Sequence, residues 1–158
     1  MGLMIWPPAK CSYKLDYKLT LEQNMTTPTG GAPMEKKSMN LPDETRTFEK
    51  GKLELTTFKN GTSIGRITLE PGWSWDKCVK PIVKTNSCEA PHTQYMISGH
   101  IKVVMDDGSE EDFGPGDTAI VPPGHNAWVV GNEPVVGIDF TGLKDYAKEG
   151  GPQAQQQE

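Results

Sequence analysis

The sequence predicts an all-β protein, built as a sandwich or barrel of short strands. The chain of 158 residues contains 17 glycines and 13 prolines, a composition more typical of a many-turned β protein than of a helix bundle. Apolar residues alternate with polar ones, and turn signals recur about every eight to twelve residues with almost no helical period. The length suits one domain with its own core and is short for two.

The first two strands are predicted as a hairpin. Residues 52–59 alternate in the manner of a half-buried strand, and residues 63–70 form the next run. Asn60-Gly61 lies between them, and this dipeptide is a strong tight-turn signal. Pro71-Gly72 then ends the hairpin.

The middle and last parts of the domain supply the remaining strands. Residues 73–87 show no clean period and predict a long loop at a rim, whereas 146–149 fit at most one helical turn. The turn signals include Asp106-Asp107-Gly108 and a corner at 114–117. The predicted strands are 92–98, 100–105, 109–113, 118–121, 126–130 and 135–140.

Both ends of the chain differ in composition from this central part. Residues 1–38 contain no lasting apolar period, so we interpret them as a flexible extension. Residues 149–158, with a Gly-Gly-Pro sequence and a glutamine run, are interpreted as a disordered tail. The folded domain is therefore predicted to cover residues 39–148.

Charge, hydropathy and cysteine usage narrow the functional classes. A formal net charge of -5 without a basic stripe argues against nucleic acid as a partner. No apolar stretch approaches the ~18 residues needed to span a bilayer, so we expect no membrane partner and a cytoplasmic location. The three cysteines, Cys11, Cys78 and Cys88, are odd in number and fit neither a disulfide framework nor a zinc-finger spacing.

Two segments carry a family resemblance. Residues 91–99 read PHTQYMISG and residues 114–128 read GPGDTAIVPPGHNAW. They resemble the two signature motifs of the cupin superfamily. Gly116, Pro122 and Gly124 of this chain match the second motif. The resemblance covers roughly residues 53–140. It implies a double-stranded β-helix, the jelly-roll barrel, and an association into homodimers.

The metal ligands are where this sequence departs from the cupin pattern. Six residues separate His92 from the closing Gly99, and the family has a glutamate at the position of His92. Ala127 stands at the position of the second motif's histidine, and His125 lies two residues earlier. The usual ligand set is therefore not encoded.

The remaining two family histidines have no counterpart either. Counting back four residues from His92 places them at Asn86 and Cys88, and counting back five places them at Thr85 and Ser87. Neither register gives a His-x-His pair, so both registers leave the usual site incomplete.

A substitute metal site is one hypothesis. Cys88 and His92 share the parity of an extended strand, and His125 keeps the parity of Ala127, so all three side chains can face the barrel interior. Thiolate and imidazole donors favour one divalent transition metal such as zinc, iron, nickel or copper over magnesium. The alternative is that both histidines only line the barrel and hydrogen-bond to neighbours.

Other side chains are candidates for contacts to a small ligand. Gln94 has the parity of His92 and offers an amide to the pocket. Trp73, Trp75 and Trp128 can stack on a ligand near the barrel mouth, with core packing or a dimer contact as the alternative.

The sequence supports two functions. The first is a cupin-type small-molecule-binding barrel without demanding chemistry, with His92 and Gln94 in its pocket. The second is a small metalloenzyme, an oxygenase, isomerase or lyase, that uses His92, His125 and Cys88. In either case we expect burial to lower the pKa of His92 below its ordinary value of about 6.5.

Overall fold

The computed structural model describes residues 33–141 and 143–149. Residues 1–32 of the predicted extension and residues 150–158 of the predicted tail lie outside the described residues. Among those described, nine strands form two antiparallel sheets, which confirms the all-β prediction. None of the described helices has the length and apolar character required to cross a membrane.

The larger sheet has six strands in the order β1-β2-β3-β9-β4-β7, and the smaller has three in the order β6-β5-β8. Buried side chains from both sheets form one hydrophobic core. The strands are β1 (Glu44–Phe48), β2 (Gly51–Thr57), β3 (Ser63–Leu69), β4 (His92–Ser98), β5 (His100–Met105), β6 (Glu110–Phe113), β7 (Thr118–Val121), β8 (His125–Val130) and β9 (Val135–Asp139).

Three features differ from the sequence-based expectation. The segment predicted as a long loop contains two single-turn helices, α1 (Trp75–Cys78) and α2 (Lys80–Val83). Strand β1 was not predicted, because its inward side chains are Arg46 and Phe48 and only one of them is apolar. The predicted helical turn near residue 146 is a turn without a helix.

Strand β9 lies inside the larger sheet and brings two polar side chains, Asp139 and His92, close together. It pairs with β3 on one side and β4 on the other, and β4 pairs in turn with the edge strand β7. In this register Asp139 lies opposite Gln94, and His92 lies opposite Val121. His92 and Asp139 are therefore diagonal neighbours on one face of the sheet, within reach of each other.

Gly99, the closing glycine of the first motif, forms the corner between β4 and β5. Its φ of +69° is in the left-handed region, and an added Cβ would lie 2.6 Å from the Pro134 carbonyl oxygen and 2.8 Å from the Val135 Cα. Both neighbours are backbone atoms, which cannot rotate away. Gly108 has a similar φ of +86°, but no heavy atom lies within 4 Å of its added Cβ.

Alanine substitutions at these two glycines distinguish the free-energy cost of backbone strain from the cost of a steric clash. We expect Gly108→Ala to cost ~1–2 kcal/mol, the penalty for a side chain in the left-handed region. Gly99→Ala should lose a further ~1–3 kcal/mol, because the backbone at Pro134 must move. Equilibrium unfolding in urea measures both, and equal losses for the two variants would show that the corner at Gly99 is not sterically closed.

Candidate metal centre

Three side chains that the sequence singled out converge inside the barrel. One possible ligand atom each from Cys88, His92 and His125 lies within 4.8 Å of the others. Cys88 is fully buried, and His92 and His125 are 9% and 4% exposed. The two imidazole rings meet edge to face, with their centroids 5.3 Å apart. This is the set that the substitute-site hypothesis named.

Backbone pairing explains why Cys88 lies beside His125. The Cys88 N–H donates to the His125 carbonyl at 2.7 Å, and the Gly124 N–H donates to the Cys88 carbonyl at 2.8 Å. The two residues form an isolated antiparallel bridge. Directly opposed residues of such a bridge project their side chains to the same face, so this short contact brings the thiol to the end of β8.

His92 reaches the cluster from the other sheet. Its Nδ1 lies 2.8 Å from Asp139 Oδ2, and its Nε2 lies 3.7 Å from Cys88 Sγ. A carboxylate accepts hydrogen bonds, so Nδ1 carries the proton of this contact. Asp139 thereby fixes the ring and directs Nε2 at the thiol.

His125 is oriented in the same way by a carbonyl. Its Nδ1 lies 2.7 Å from the Pro122 oxygen. Because a carbonyl can only accept, Nδ1 is the protonated nitrogen and Nε2 remains available as a ligand atom. An Nδ1–H held by a carboxylate or a backbone carbonyl is the usual support of a metal-binding histidine. Both histidines of the cluster have this support.

Burial and charge act in opposite directions on this cluster. Burial disfavours the His92 imidazolium, but the hydrogen bonds to Asp139 and Cys88 outweigh it and raise the pKa of His92 to about 9. The expectation that burial would lower this pKa is therefore wrong, because it considered an imidazole among apolar walls alone. The missing element was Asp139, a carboxylate only 1% exposed.

The pKa values of Cys88 and Asp139, the two partners of His92, also shift. Burial acts to raise the pKa of the Cys88 thiol, and hydrogen bonds from His125 and His92 more than offset it, lowering the pKa to about 6. Burial raises the pKa of Asp139 despite the contact with His92. We assign Asp139 as the carboxylate, since its two oxygens receive the His92 Nδ1–H and the Thr141 N–H.

A cavity of about 40 Å³ adjoins the three side chains. Gln94, Trp73 and Trp75 line it, as the sequence analysis expected of pocket residues. Tyr146, which the sequence analysis did not select, also lines it, with its ring 5.9 Å from that of His92. Burial raises the pKa of the Tyr146 phenol well above its ordinary value, so the phenol is neutral.

Trp128, also predicted to contact a ligand, is placed elsewhere. Along β8 the side chains of His125, Ala127 and Val129 are buried, and Trp128 alternates to the outside, where it is 36% exposed. It does not line the cavity. His100, the third histidine of the chain, is exposed.

Asp139 and Tyr146 are the residues of the site that sequence reasoning missed. A signal existed for Asp139: it shares the parity of the buried Val135 and Gly137, and an acidic residue on the inward face of a strand is rare without a partner. Tyr146 gave no such signal, because it lies in an irregular segment after the last strand.

Comparison with known proteins agrees with this architecture. Residues 78–140 match the model of the EutQ-like cupin domain. A protein of unknown function from Rhizobium leguminosarum has 18% identity over 70% of this chain and 97% of its own, with a TM-score of 0.52. No curated protein matches.

Two further solved structures have TM-scores below 0.5. The oxalate decarboxylase–formate complex of Lactobacillus farciminis has 20% identity over 65% of this chain, with a TM-score of 0.48, and this chain spans only 32% of its length. A cupin-like protein from Thermotoga maritima has 16% identity over 60% of this chain and 69% of its own, with a TM-score of 0.42.

The antiparallel two-sheet fold and the matched domain identify the class. The fold is the all-β cupin fold, and the match of residues 78–140 to the EutQ-like cupin domain supports a small member of the cupin superfamily. The predicted resemblance and fold class are confirmed.

The Cys88 pKa gives a test of the site in the metal-free protein. A pKa of about 6 means that the thiolate predominates above pH 6 and is protonated below it. We expect chelator-treated protein to show far-ultraviolet thiolate absorbance at neutral pH that disappears as the pH falls through about 6. Cys88→Ser should abolish this transition.

Cys78→Ser is the matched control, since Cys78 is also buried and free but is outside the cluster. It should leave the transition in place. A midpoint near the value of about 8.5 for an ordinary thiol would show that the histidines do not contact Cys88 as described.

Proposed function

We propose that this protein is a metal-dependent cupin in which Cys88, His92 and His125 bind one divalent transition-metal ion and the adjoining cavity binds a small molecule. The observation that carries the proposal is the pair of histidines whose Nδ1 atoms are both held by acceptors while their Nε2 atoms remain for the cluster. An ordinary core histidine needs no such arrangement around a thiol.

The donor set fits a metal ion. Donor atoms in a tetrahedral zinc site lie about 3.3–3.8 Å apart, as bond lengths of ~2.0–2.3 Å require. The Cys88–His92 separation of 3.7 Å already satisfies this, and a small side-chain adjustment brings in His125, since the cluster lies within 4.8 Å. Zinc is the first candidate because one thiolate and two imidazoles match its preference, with iron, copper or nickel as alternatives.

Three protein ligands beside a cavity are typical of a catalytic rather than a structural site. Structural zinc sites are closed by four protein ligands, whereas catalytic sites keep one position for water or substrate. A bound metal ion would supply Lewis-acid chemistry at that position. Around it, His92 and Asp139 can hold a proton, and the aliphatic walls exclude bulk water.

The alternative function is metal-free binding of a small molecule. The observation in its favour is that the hydrogen-bonded series from Cys88 through His92 to Asp139 is internally satisfied without a metal ion. In this case the thiolate and the imidazolium form a buried ion pair. Metal content distinguishes the two functions.

Elemental analysis of untagged protein purified without chelator tests the metal site. We expect close to one transition-metal ion per chain, and its loss in His92→Ala and in His125→Ala, because each variant leaves only two protein ligands. Thiolate-to-metal charge-transfer absorption of the cobalt(II) form should disappear in Cys88→Ser.

His100→Ala is the matched control for this experiment, because His100 is exposed and outside the cluster. It should retain the full metal content. Protein that stays metal-free after growth with zinc, iron, nickel and copper would refute the metal site and favour metal-free binding.

Asp139→Asn tests whether the hydrogen bond between Asp139 and His92 strengthens metal binding. The amide keeps the size of the side chain but removes the charge that holds the Nδ1–H. Loss of such an outer partner typically lowers metal affinity about 10–100-fold. Competition with a chromophoric zinc chelator measures the affinity, and circular dichroism checks that the variant is folded. Unchanged affinity would mean that Asp139 has only a structural role.

A further inference from the structure

The hydroxyl of Tyr146 is a polar group without a partner in a buried residue. Tyr146 is 3% exposed. Its backbone carbonyl accepts from Arg46, but its hydroxyl forms no hydrogen bond with any described residue, although a buried tyrosine hydroxyl usually has a partner. In the same part of the chain, the unpartnered side-chain atoms that are sealed from all surrounding space belong to Trp73, Ser74 and Trp75. The Tyr146 hydroxyl is not one of them, so it keeps accessible surface.

The accessible surface of Tyr146 belongs to the cavity beside the candidate metal ligands. Among the cavities that described residues line, Tyr146 borders this one alone. Its ring meets the His92 ring edge to face at 5.9 Å. Burial, and after it the nearby charge of Cys88, raises the pKa of Tyr146 well above its ordinary value. The hydroxyl therefore keeps its proton and can donate it in a hydrogen bond.

Contacts from outside the cavity fix the position of Tyr146. The Arg46 guanidinium donates to the backbone carbonyls of residues 143, 144 and 146, and the Phe48 ring packs against the Tyr146 ring. The next residue, Ala147, has a φ of +54°, in the left-handed region that residues with a Cβ rarely adopt. Such conformations persist where the surrounding structure enforces them, and they cluster at functional sites. The tyrosine is held firmly while its hydroxyl has no partner among the described residues.

We infer that Tyr146 determines specificity, by donating a hydrogen bond to the small molecule that occupies the cavity beside the metal ion. This inference deepens the proposed function and rests on it for the metal ion. A cavity of about 40 Å³ holds about three water-sized groups, so a molecule that fills it contacts Tyr146 and the cluster together. The molecule therefore carries an oxygen or nitrogen acceptor close to the atom that it presents to the metal. A wholly apolar molecule would leave the hydroxyl buried and unpaired.

Titration of the cobalt(II)-loaded protein with azide tests the inference, with visible absorption as the measurement. Azide is small, binds metal ions through a terminal nitrogen and accepts hydrogen bonds at that atom. We expect one azide per chain in the wild type. Tyr146→Phe removes the hydroxyl and keeps the ring, so it should weaken azide binding about tenfold or more, the usual effect of losing a hydrogen bond to a charged group.

Tyr95→Phe is the matched control and should bind azide as the wild type does, because Tyr95 is 41% exposed and does not line the cavity. Without azide, Tyr146→Phe should unfold at the same urea concentration as the wild type, since its hydroxyl bonds to no described residue. Equal azide affinity in Tyr146→Phe and the wild type would overturn the inference. A loss of stability without azide would also overturn it, because the hydroxyl would then have a structural partner.

Cobalt measured in the same samples separates this inference from the proposed function. Tyr146→Phe should hold one cobalt ion per chain, because Tyr146 is not among the three candidate ligands. Wild-type protein that holds cobalt but binds no azide overturns the inference and leaves the metal centre intact. Wild-type protein that holds no cobalt overturns the metal centre, and the inference with it.

Discussion

The buried hydrogen bond between His92 and Asp139 is the contact on which the site depends. A carboxylate that is 1% exposed has lost nearly all its hydration, and it is tolerated only if partners replace the water. Asp139 obtains two N–H donors, from His92 and from the backbone of Thr141. Because the carboxylate needs the imidazole, the ring is held in one orientation, and that orientation sends Nε2 to Cys88.

This contact is a result of strand register. Asp139 faces Gln94 across β9 and β4, and His92 is two residues from Gln94 on the same face. A slip of one residue would turn all of these side chains to the outer surface. The glycine corner at Gly99 ends β4 where the sheet requires it, so the sterically closed turn and the polar pair support the same register.

Much of the fold could be predicted because its turns have recognisable sequence signals. Asn60-Gly61, Asp106-Asp107-Gly108 and the glycines and prolines of the two motifs demand particular backbone angles, so the strands between them were found within a residue or two. Parity predicted that His92 and His125 face inward, and the isolated bridge between Cys88 and His125 brings the thiol beside them.

The features that the sequence did not predict depend on contacts between residues far apart in the chain. Strand β1 lacks an apolar alternation because Arg46 occupies an inward position, and its partner is a carbonyl-rich segment about a hundred residues later. The raised pKa of His92 required Asp139, whose contact is set by the pairing of β4 with β9. Trp128 directly follows Ala127, so the same parity that turns His125 and Ala127 inward places Trp128 on the outer face.

One part of the cavity wall lies after the last strand and is held in place by Arg46. Its guanidinium donates to the carbonyls of Leu143, Lys144 and Tyr146, and Phe48 packs edge to face on the Tyr146 ring. Leu143 and Tyr146 belong to the cavity wall, yet they are held from β1, the strand at the far edge of the larger sheet. This segment is fixed by those hydrogen bonds and by the burial of the Leu143 and Tyr146 side chains, not by strand pairing. A substitution on one of the outermost strands of the molecule can therefore disturb its innermost site without touching any of the three candidate ligands.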